Sequence, residues 1–260
     1  MKIKDILTQI LLLLFLLTAT AYADTNDQID QEFMEEFDDE FENEFSDDTT
    51  QDNDYDPFKN YNKAVTHLNH NTMLNIFIPL SKAYEKVTTK TIRLGVNNFF
   101  KNLLFPVRVT NNLLQMKFQN SIEETQRFAI NSTIGVGGFI DVAKGYFNID
   151  EHKEDFGQTL GYYGVSSGPH IVIPFYGPSN LRDLFSMYPD NILDPFVYTN
   201  NTNYNLTNNL RQSIPIKLYD KLNIASLHYK EYLALTEDSL DLYTLLKSAY
   251  EQNRNKMIKE

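Results

Sequence analysis

Residues 161–179 read GYYGVSSGPHIVIPFYGPS, a stretch with four glycines, four aromatic rings and no formal charge. The uncharged interval around it is longer still, since only His170 titrates near neutral pH between Asp155 and Arg182. A helical domain surrounded by water keeps charges along its wet face, so this interval predicts burial within protein or contact with lipid. Its glycines do not follow the phosphate-binding pattern G-x-x-x-x-G-K-[ST], which disfavours a phosphate site.

A catalytic centre or a metal site finds little support elsewhere in the sequence. There is no G-x-S-x-G elbow and no H-E-x-x-H pair. The absence of cysteine excludes a disulfide framework, a thiolate metal site and a cysteine nucleophile. The segment DNDYD at 52–56 resembles the start of a calcium loop, but Pro57 and Lys63 stand where glycine and glutamate are required. The sequence therefore predicts a protein that is not an enzyme and has no metal or other cofactor.

The chain divides into three predicted parts. Residues 1–23 combine two lysines, a short apolar run and the small-residue site Ala21-Tyr22-Ala23, which predicts a cleaved export signal. Residues 24–55 predict a linker, and residues 56–260 predict a single helical domain. No window after the signal has the about 20 apolar residues of a membrane-spanning helix.

Charge separates the linker from the domain. Residues 24–56 hold 16 acidic side chains and no basic one, whereas residues 57–260 carry a net charge of +3. The small basic excess of the domain argues against nucleic acid as a partner. Charge repulsion predicts a disordered linker. Its four phenylalanines, spaced four apart between Phe33 and Phe45, leave open a helix that forms on a basic, apolar partner surface.

Helical periodicity dominates the domain. Apolar residues recur with helical spacing over about 58–77, 81–105 and 107–118, with Pro79 and Pro106 at the joins. Near-neutral helices rich in phenylalanine and tyrosine suit a protein that lies in the plane of a membrane interface. Polar groups on their inner faces would then line a passage.

Three local signals complete the helical prediction. Ser121 followed by Glu124 predicts a capping box that opens a helix. The last helix is predicted to begin near Thr236, where acidic residues suit the positive end of the helix dipole. The one clear strand signal covers His170 to Phe175. The prediction is an all-α domain.

Five segments, in order and at consistent spacing, resemble the VacJ/MlaA family. They are DPFKNYNKAV (56–65), NNFFKNLLFPVRVTNNLLQ (97–115), TQRFAINSTIGVGGFIDVAKGY (125–146), EDFGQTLGYYGVSSGPHIVIPFYGPSNLRD (154–183) and SAYEQNR (248–254). The resemblance implies a flat ring of amphipathic helices in the inner leaflet of the outer membrane, often beside trimeric porins, with a central polar channel. It also implies removal of misplaced glycerophospholipids from the outer leaflet, their transfer to a soluble periplasmic carrier, and no bond-making chemistry.

The resemblance also implies which residues form the lipid pathway or its frame. The positions that match family motifs are Asp56, Pro57, Asn62, Asn97, Asn98, Phe99, Phe100, Asn131, Ser132, Thr133, Asp141, Arg182 and Asp183. Gly135, Gly137 and Gly138 match a glycine-rich loop that is a candidate hinge. For each polar position a structural role stays open, because buried polar groups need hydrogen-bond partners in any case.

Three features depart from the family pattern. Asn60 stands where glycine is usual, and Leu68-Asn69 with His70-Asn71 replace the usual Phe-Asn repeat. Most members are lipoproteins, but this chain has no cysteine to acylate. The prediction is therefore an exported protein held at the periplasmic face of the outer membrane without a lipid anchor.

Two other functions stay open at this point. One is a soluble periplasmic lipid shuttle, which the missing anchor suggests. The other is an acyl hydrolase with Ser132 or Ser166 as nucleophile and His152 or His170 as base.

Overall fold

A computed structural model describes residues 56–199, 205–237 and 239–260. The predicted signal peptide and acidic linker, residues 1–55, lie outside these ranges, and so does part of the Asn-rich loop, residues 200–204. The predicted domain boundaries therefore stay predictions.

Helices form nearly all of the regular structure, which confirms the prediction of an all-α fold. They are α1 Lys59–Thr72, α2 Ile78–Val87, α3 Lys90–Leu103, α4 Phe105–Leu114, α5 Phe118–Thr133, α6 Val142–Phe147, α7 Phe156–Tyr162, α8 Leu181–Leu193, α9 Leu210–Glu237 and α10 Leu242–Lys259. A π-helix, Met73–Phe77, joins α1 to α2 without a break.

The uncharged stretch that precedes α8 folds as a small antiparallel hairpin. Strand β1, His170–Ile173, pairs with β2, Gly177–Asn180. Phe175, in the turn, has a φ of 60° and Gly177 a φ of 118°, and such positive φ values allow the sharp reversal. The predicted strand is confirmed over its first four residues.

Several predicted helix boundaries were wrong. Pro79 does not end a helix, because it directly follows the π-helix at the start of α2 and the helical path continues through it. Ser121 is inside α5 rather than at its start, and its hydroxyl donates to the carbonyl of Val109 at 3.1 Å. The last helix begins at Leu242, capped by Asp241, and not near Thr236.

Several helices bury polar side chains and expose large apolar ones. On α8 the buried side chains are Arg182, Asp183 and Ser186. The exposed side chains of the same helix are Leu181, Phe185 and Tyr188, together with the polar Asn191 near its end. Phe185 is 70% exposed. In a water-soluble helix the apolar stripe faces the core instead.

The longer helix α5 also buries polar side chains. Its buried positions recur every three or four residues and are all polar: Ser121, Glu124, Arg127 and Asn131. Its exposed side carries the apolar residues Phe118 and Ile122 together with polar residues such as Gln119, Thr125 and Gln126. Polar and charged side chains outnumber apolar ones among the buried residues that the structure describes.

Contacts between helices form a closed ring, as predicted. The π-helix and α2 follow α1, α2 packs on α9, and α9 packs on α3. The ring continues from α3 to α4 and α5, from α4 to α7, and from α7 to α10, which packs back on α1. Within the described ranges, no helix has the length and apolar character to cross a membrane.

Candidate functional site

The start of the domain is fastened to its end by Asp56 and Asn62. The Asn62 side chain donates to Asp56 Oδ1 at 3.2 Å and to the carbonyl of His170 at 3.0 Å, and its oxygen accepts from the Val172 amide at 2.8 Å. The Tyr243 hydroxyl of α10 donates to Asp56. Asn62 is fully buried. These bonds join α1, the hairpin and α10, whereas Pro57 is exposed beside them.

A cavity lies next to this junction, between α1, the π-helix, the hairpin, α9 and α10. Its volume is about 220 Å³. Most of its wall is apolar or aromatic, with Met73, Phe77, Val172, Phe175, Tyr232 and Leu246 among the lining residues. His170, Tyr243 and Lys247 add polar groups to the lining. The cavity therefore combines a mainly apolar wall with a few polar atoms, which is the usual composition of a small-molecule site.

Asp183 is the centre of a buried ion network. Arg254 Nε donates to its Oδ2 at 2.7 Å, and Arg182 Nε donates to its Oδ1 at 2.9 Å. Burial alone would raise the pKa of Asp183, but the hydrogen bonds from Arg254, Arg182 and Tyr250 outweigh burial and hold this pKa below its ordinary value. Neither Arg182 nor Asp183 caps α8, because the cap is Asn180, whose side chain accepts from the Asp183 amide at 2.8 Å.

A second polar junction gathers the predicted residues of α5 and the glycine loop. Asp141 accepts from Asn131 at 2.9 Å and from Arg127 Nη2 at 2.6 Å. Asn131 in turn accepts from the Ala143 amide at 2.9 Å, and Ser132 accepts from the Asn102 side chain at 2.9 Å. These bonds fix the loop between α5 and α6. Thr133 is exposed, and its hydroxyl donates back to the carbonyl of Ala129 within α5.

A small polar pocket of about 30 Å³ lies at this junction. Its lining includes the predicted residues Asn98, Asn131 and Asp141 together with Lys101, Arg108 and Arg127. The volume matches about one water molecule, and the cations are paired with carboxylates: Arg108 with Glu124 at 2.6 Å, and Lys101 with Glu151 at 3.3 Å. The ion pairs around this pocket stabilise the fold, and the pocket itself is too small for a lipid headgroup.

The remaining predicted residues of α3 serve packing. Phe100 is buried against Phe196, with ring centroids 4.9 Å apart, and Phe99 stacks on Phe139 at 5.0 Å. Asn97 is half-buried on the same helix. The structure thus brings the predicted residues into three separate clusters and not into one site.

Several buried polar residues were not singled out from the sequence. Asn111 and Asn112 are both fully buried, and Asn111 donates to Asp190 Oδ1 at 3.0 Å and accepts from Thr159 at 2.9 Å. Arg254, the partner of Asp183, was also missed. The available signal was the pair of adjacent asparagines inside an otherwise apolar helical segment, NNLL at 111–114.

Among the carboxyl groups in the ranges that the structure describes, Asp190 has the most clearly raised pKa. Burial raises the pKa of Asp190 to about 6, against the hydrogen bonds that it accepts from the Phe156 amide and Asn111. Because the folded state binds this proton more tightly than the unfolded state, the contribution of Asp190 to stability falls as the pH rises from about 4 through about 6.

We therefore expect Asp190→Asn to raise the free energy of unfolding by on the order of 1 kcal/mol at a pH of about 7.5 and to leave it almost unchanged at a pH of about 4. Thermal unfolding in detergent at the two pH values measures the difference. Asp150→Asn is the control. A hydrogen bond from Lys144 lowers the pKa of this exposed carboxyl, so removing its charge should not stabilise the protein at the higher pH. An equal effect of Asp190→Asn at both pH values would contradict the expectation.

The residues of the possible hydrolase are not assembled. Ser132 Oγ is bonded to Asn102, and Ser166 Oγ to the Gly168 amide. His152 Nε2 is 2.6 Å from Glu123. No serine–histidine hydrogen bond exists among these residues in the described ranges, so the structure gives no support to a nucleophile and base pair.

Comparisons with known proteins agree on one family. The family model described as MlaA lipoprotein matches residues 54–257. An uncharacterised protein of Rickettsia bellii is 31% identical over 202 residues, which are 77% of this chain and 75% of that protein. The intermembrane phospholipid transport system lipoprotein MlaA of Escherichia coli is 36% identical over 132 residues.

The match to the Escherichia coli lipoprotein covers 49% of this chain and 52% of that protein, so the chain spans about half the length of this relative. A solved structure, reported under "Structural basis for maintenance of bacterial outer membrane lipid asymmetry", superposes with a TM-score of 0.65 at 26% identity. That superposition covers 78% of this chain and 98% of the other.

Proposed function

This chain belongs to the MlaA lipoprotein family, and from that premise we propose that it removes misplaced glycerophospholipids from the outer leaflet of the outer membrane. It passes them to a soluble periplasmic carrier and so maintains the lipid asymmetry of that membrane. Support comes from the Escherichia coli relative, which is named for intermembrane phospholipid transport, and from the solved structure concerned with outer-membrane lipid asymmetry.

The inverted helices are the observation that carries the proposal. A helix such as α8, which buries Arg182 and Asp183 and exposes Phe185 and Tyr188, is stable where its outer side faces acyl chains. Exposed apolar area of this extent is uncommon on soluble monomers and typical of proteins in contact with membranes. It therefore favours a ring embedded in a leaflet over a soluble shuttle, and it supplies a membrane attachment that needs no acylated cysteine.

The mechanism is passive transfer through the ring. A phospholipid headgroup leaves the outer leaflet along the polar inner side of the helices, while its chains stay in apolar surroundings. An unpowered passage cannot set the direction of flow, so the net direction comes from the carrier that removes the lipid on the periplasmic side. A trimeric porin is a further partner, beside which the ring would sit.

Surface labelling of phospholipid headgroups on intact cells tests this function. Cells without the gene are expected to expose several-fold more phospholipid, and the wild-type chain is expected to reverse the increase. A chain with Phe185→Asp should reverse it only weakly, because a charge on the apolar face of α8 opposes contact with acyl chains.

The matched control is Gln252→Asp, which introduces the same charge at an exposed polar position of α10. It should restore the wild-type level. No increase on deletion, with the outer membrane otherwise intact, would overturn the proposed function and favour the shuttle or hydrolase alternatives. If Phe185→Asp and Gln252→Asp lower the surface-exposed phospholipid equally well, this would argue against membrane contact through α8.

A further inference from the structure

The outward side of α2 combines lysines with large apolar residues. Its exposed apolar residues include Leu80, which is 50% exposed, and Val87, which is 79% exposed. Lys82 and Lys86 are exposed beside them, one helical turn apart. A helix that lies in a membrane interface has this composition, because lysine side chains carry their charge to the headgroups while apolar neighbours enter the acyl chains.

The carboxylate of the same helix does not compensate these lysines. Glu85 is the one acidic residue of α2. Its Oε1 lies 3.2 Å from Arg93 Nη2, and its Oε2 accepts a hydrogen bond from the Tyr229 hydroxyl at 2.9 Å. Arg93 is buried, so Glu85 is directed toward the helix junction and away from the outward side. That side of α2 therefore presents positive charge only.

A third lysine reaches the same place from α9. Lys82 Nζ and Lys230 Nζ each lie 5.9 Å from the ring centre of Tyr229, so the two ammonium groups are at most twice that distance apart. A ring face compensates an exposed cation only weakly. Glu231, exposed on α9, is an acidic neighbour of Tyr229. The three lysines, Lys86 included, and this one glutamate give a net charge of +2.

Several lysines elsewhere on the described surface meet a carboxylate. Lys63 lies 3.0 Å from Asp241, and Lys217 lies 2.6 Å from Asp194. Within the ranges that the structure describes, the three lysines around Tyr229 have no such partner. Cations without a carboxylate, next to exposed apolar side chains, fit a phase that supplies anions and acyl chains side by side. An anionic lipid leaflet supplies both.

We propose that Leu80, Lys82, Lys86, Val87 and Lys230 form a lysine surface that binds anionic phospholipids of the leaflet around the ring. The lysines contact the phosphate groups, and Leu80 and Val87 enter the acyl chains. The assignment rests on the proposed function, because it names the lipid class that holds the ring in its leaflet. It also supplies an electrostatic attachment that needs no acylated cysteine.

Flotation of the full chain with vesicles tests the lysine surface. The protein is diluted from detergent into vesicles of phosphatidylcholine alone, or into vesicles in which about one quarter of the lipid is phosphatidylglycerol. The readout is the ratio of the partition coefficients onto the anionic and the neutral vesicles. The acidic linker is present in every variant, so its repulsion cancels when variants are compared.

Lys82→Gln, Lys86→Gln and Lys230→Gln in one chain should lower this ratio by at least about 30-fold, since each lysine near an anionic surface is worth about threefold to fivefold in binding. Raising the salt concentration from about 0.05 M to about 0.5 M should lower the wild-type ratio in the same direction, because screening weakens the attraction. Val87→Asn should weaken binding to both kinds of vesicle by the same factor, about fivefold, and leave the ratio unchanged.

The matched control removes three exposed lysines elsewhere, by Lys153→Gln, Lys256→Gln and Lys259→Gln, and should keep the wild-type ratio. Lys86→Glu alone, with an expected loss of about tenfold, replaces the triple variant if the latter fails to fold. An equal loss in both triple variants would mean that net charge alone attracts the protein, and it would overturn the assignment. An unchanged ratio in the triple variant around Tyr229 would overturn it as well.

This result is independent of the test of the proposed function. An unchanged ratio in the triple variant, together with increased surface phospholipid on gene deletion, would overturn the lysine surface and leave the function standing. Unchanged surface labelling on gene deletion would overturn the function whatever lipid this surface binds.

Discussion

Arg254→Met is expected to lower the free energy of unfolding by about 3 kcal/mol, which corresponds to a fall in melting temperature of about 10 °C for a domain of this size. Arg254 is buried and forms a two-pronged pair with Asp155, with distances of 2.6 and 2.5 Å, while its Nε donates to Asp183. Methionine fills similar space but leaves the buried carboxylate of Asp183 with one arginine partner instead of two. Removing one member of a buried ion network is costly because the remaining charge has lost its compensation.

Two variants separate this effect from a general loss of arginine. Arg254→Lys keeps the charge but cannot make the planar two-pronged contact, so we expect about half the loss. Arg211→Met, at an exposed position in the first turn of α9, should change the melting temperature by less than about 1 °C. Thermal unfolding of the full chain in one detergent compares all three. Equal melting of the wild type and Arg254→Met would show that the network contributes nothing to stability.

The pH dependence gives a second readout of the same network. The pKa of Asp183 is held below its ordinary value by its hydrogen bonds to Arg254, Arg182 and Tyr250. The stability that it contributes is therefore present above the ordinary carboxylate pKa and is lost as the pH falls through the lowered value. Arg254→Met should flatten this acid-side loss of stability. A simple packing defect would not alter the pH profile.

The helical class of the fold and its segment of burial or lipid contact could be predicted from the sequence, because both depend on the composition of single segments. The long uncharged interval around residues 161–179 predicted lipid contact or burial, and the apolar periodicity predicted amphipathic helices. The ring followed from family motifs. Periodicity alone could not indicate which face of each helix lies inside, and polar inner faces were predicted only from the expected position in a membrane interface. In α5 the buried side is polar, opposite to the rule for proteins surrounded by water.

The partners of the buried charges could not be predicted for a related reason. Asp183 meets Arg254 across 71 positions of sequence, and Asp155 meets the same arginine across 99. No local pattern encodes such pairs. Helix α9, Leu210–Glu237, was missed because its apolar residues do not keep to one face and Pro215 lies inside it. The contact with α2 and α3 decides its structure.

The glycine loop provides the second large expected effect, through Gly135→Ala. A Cβ atom at Gly135 would lie 2.2 Å from the carbonyl oxygen of Ile140 and 2.5 Å from that of Asn131. Both are backbone atoms, so the loop itself must move, and with it the junction of Asn131 and Asp141. We expect a loss of about 3 kcal/mol, at the upper end for overpacking, measured as the change in melting temperature and in urea midpoint.

Gly137→Ala and Gly145→Ala isolate the cause of that loss, because a Cβ at either position meets nothing within 4 Å. Gly137 has a φ of 72°, so alanine there should be destabilising by about 1 kcal/mol through backbone strain alone. Gly145 lies within α6, where alanine favours the helix by up to about 1 kcal/mol. If close backbone approach is the reason for Gly135, the order of destabilisation is Gly135, then Gly137, then Gly145. A larger loss at Gly137 than at Gly135 would mean that conformational freedom, as a hinge requires, matters more in this loop than space.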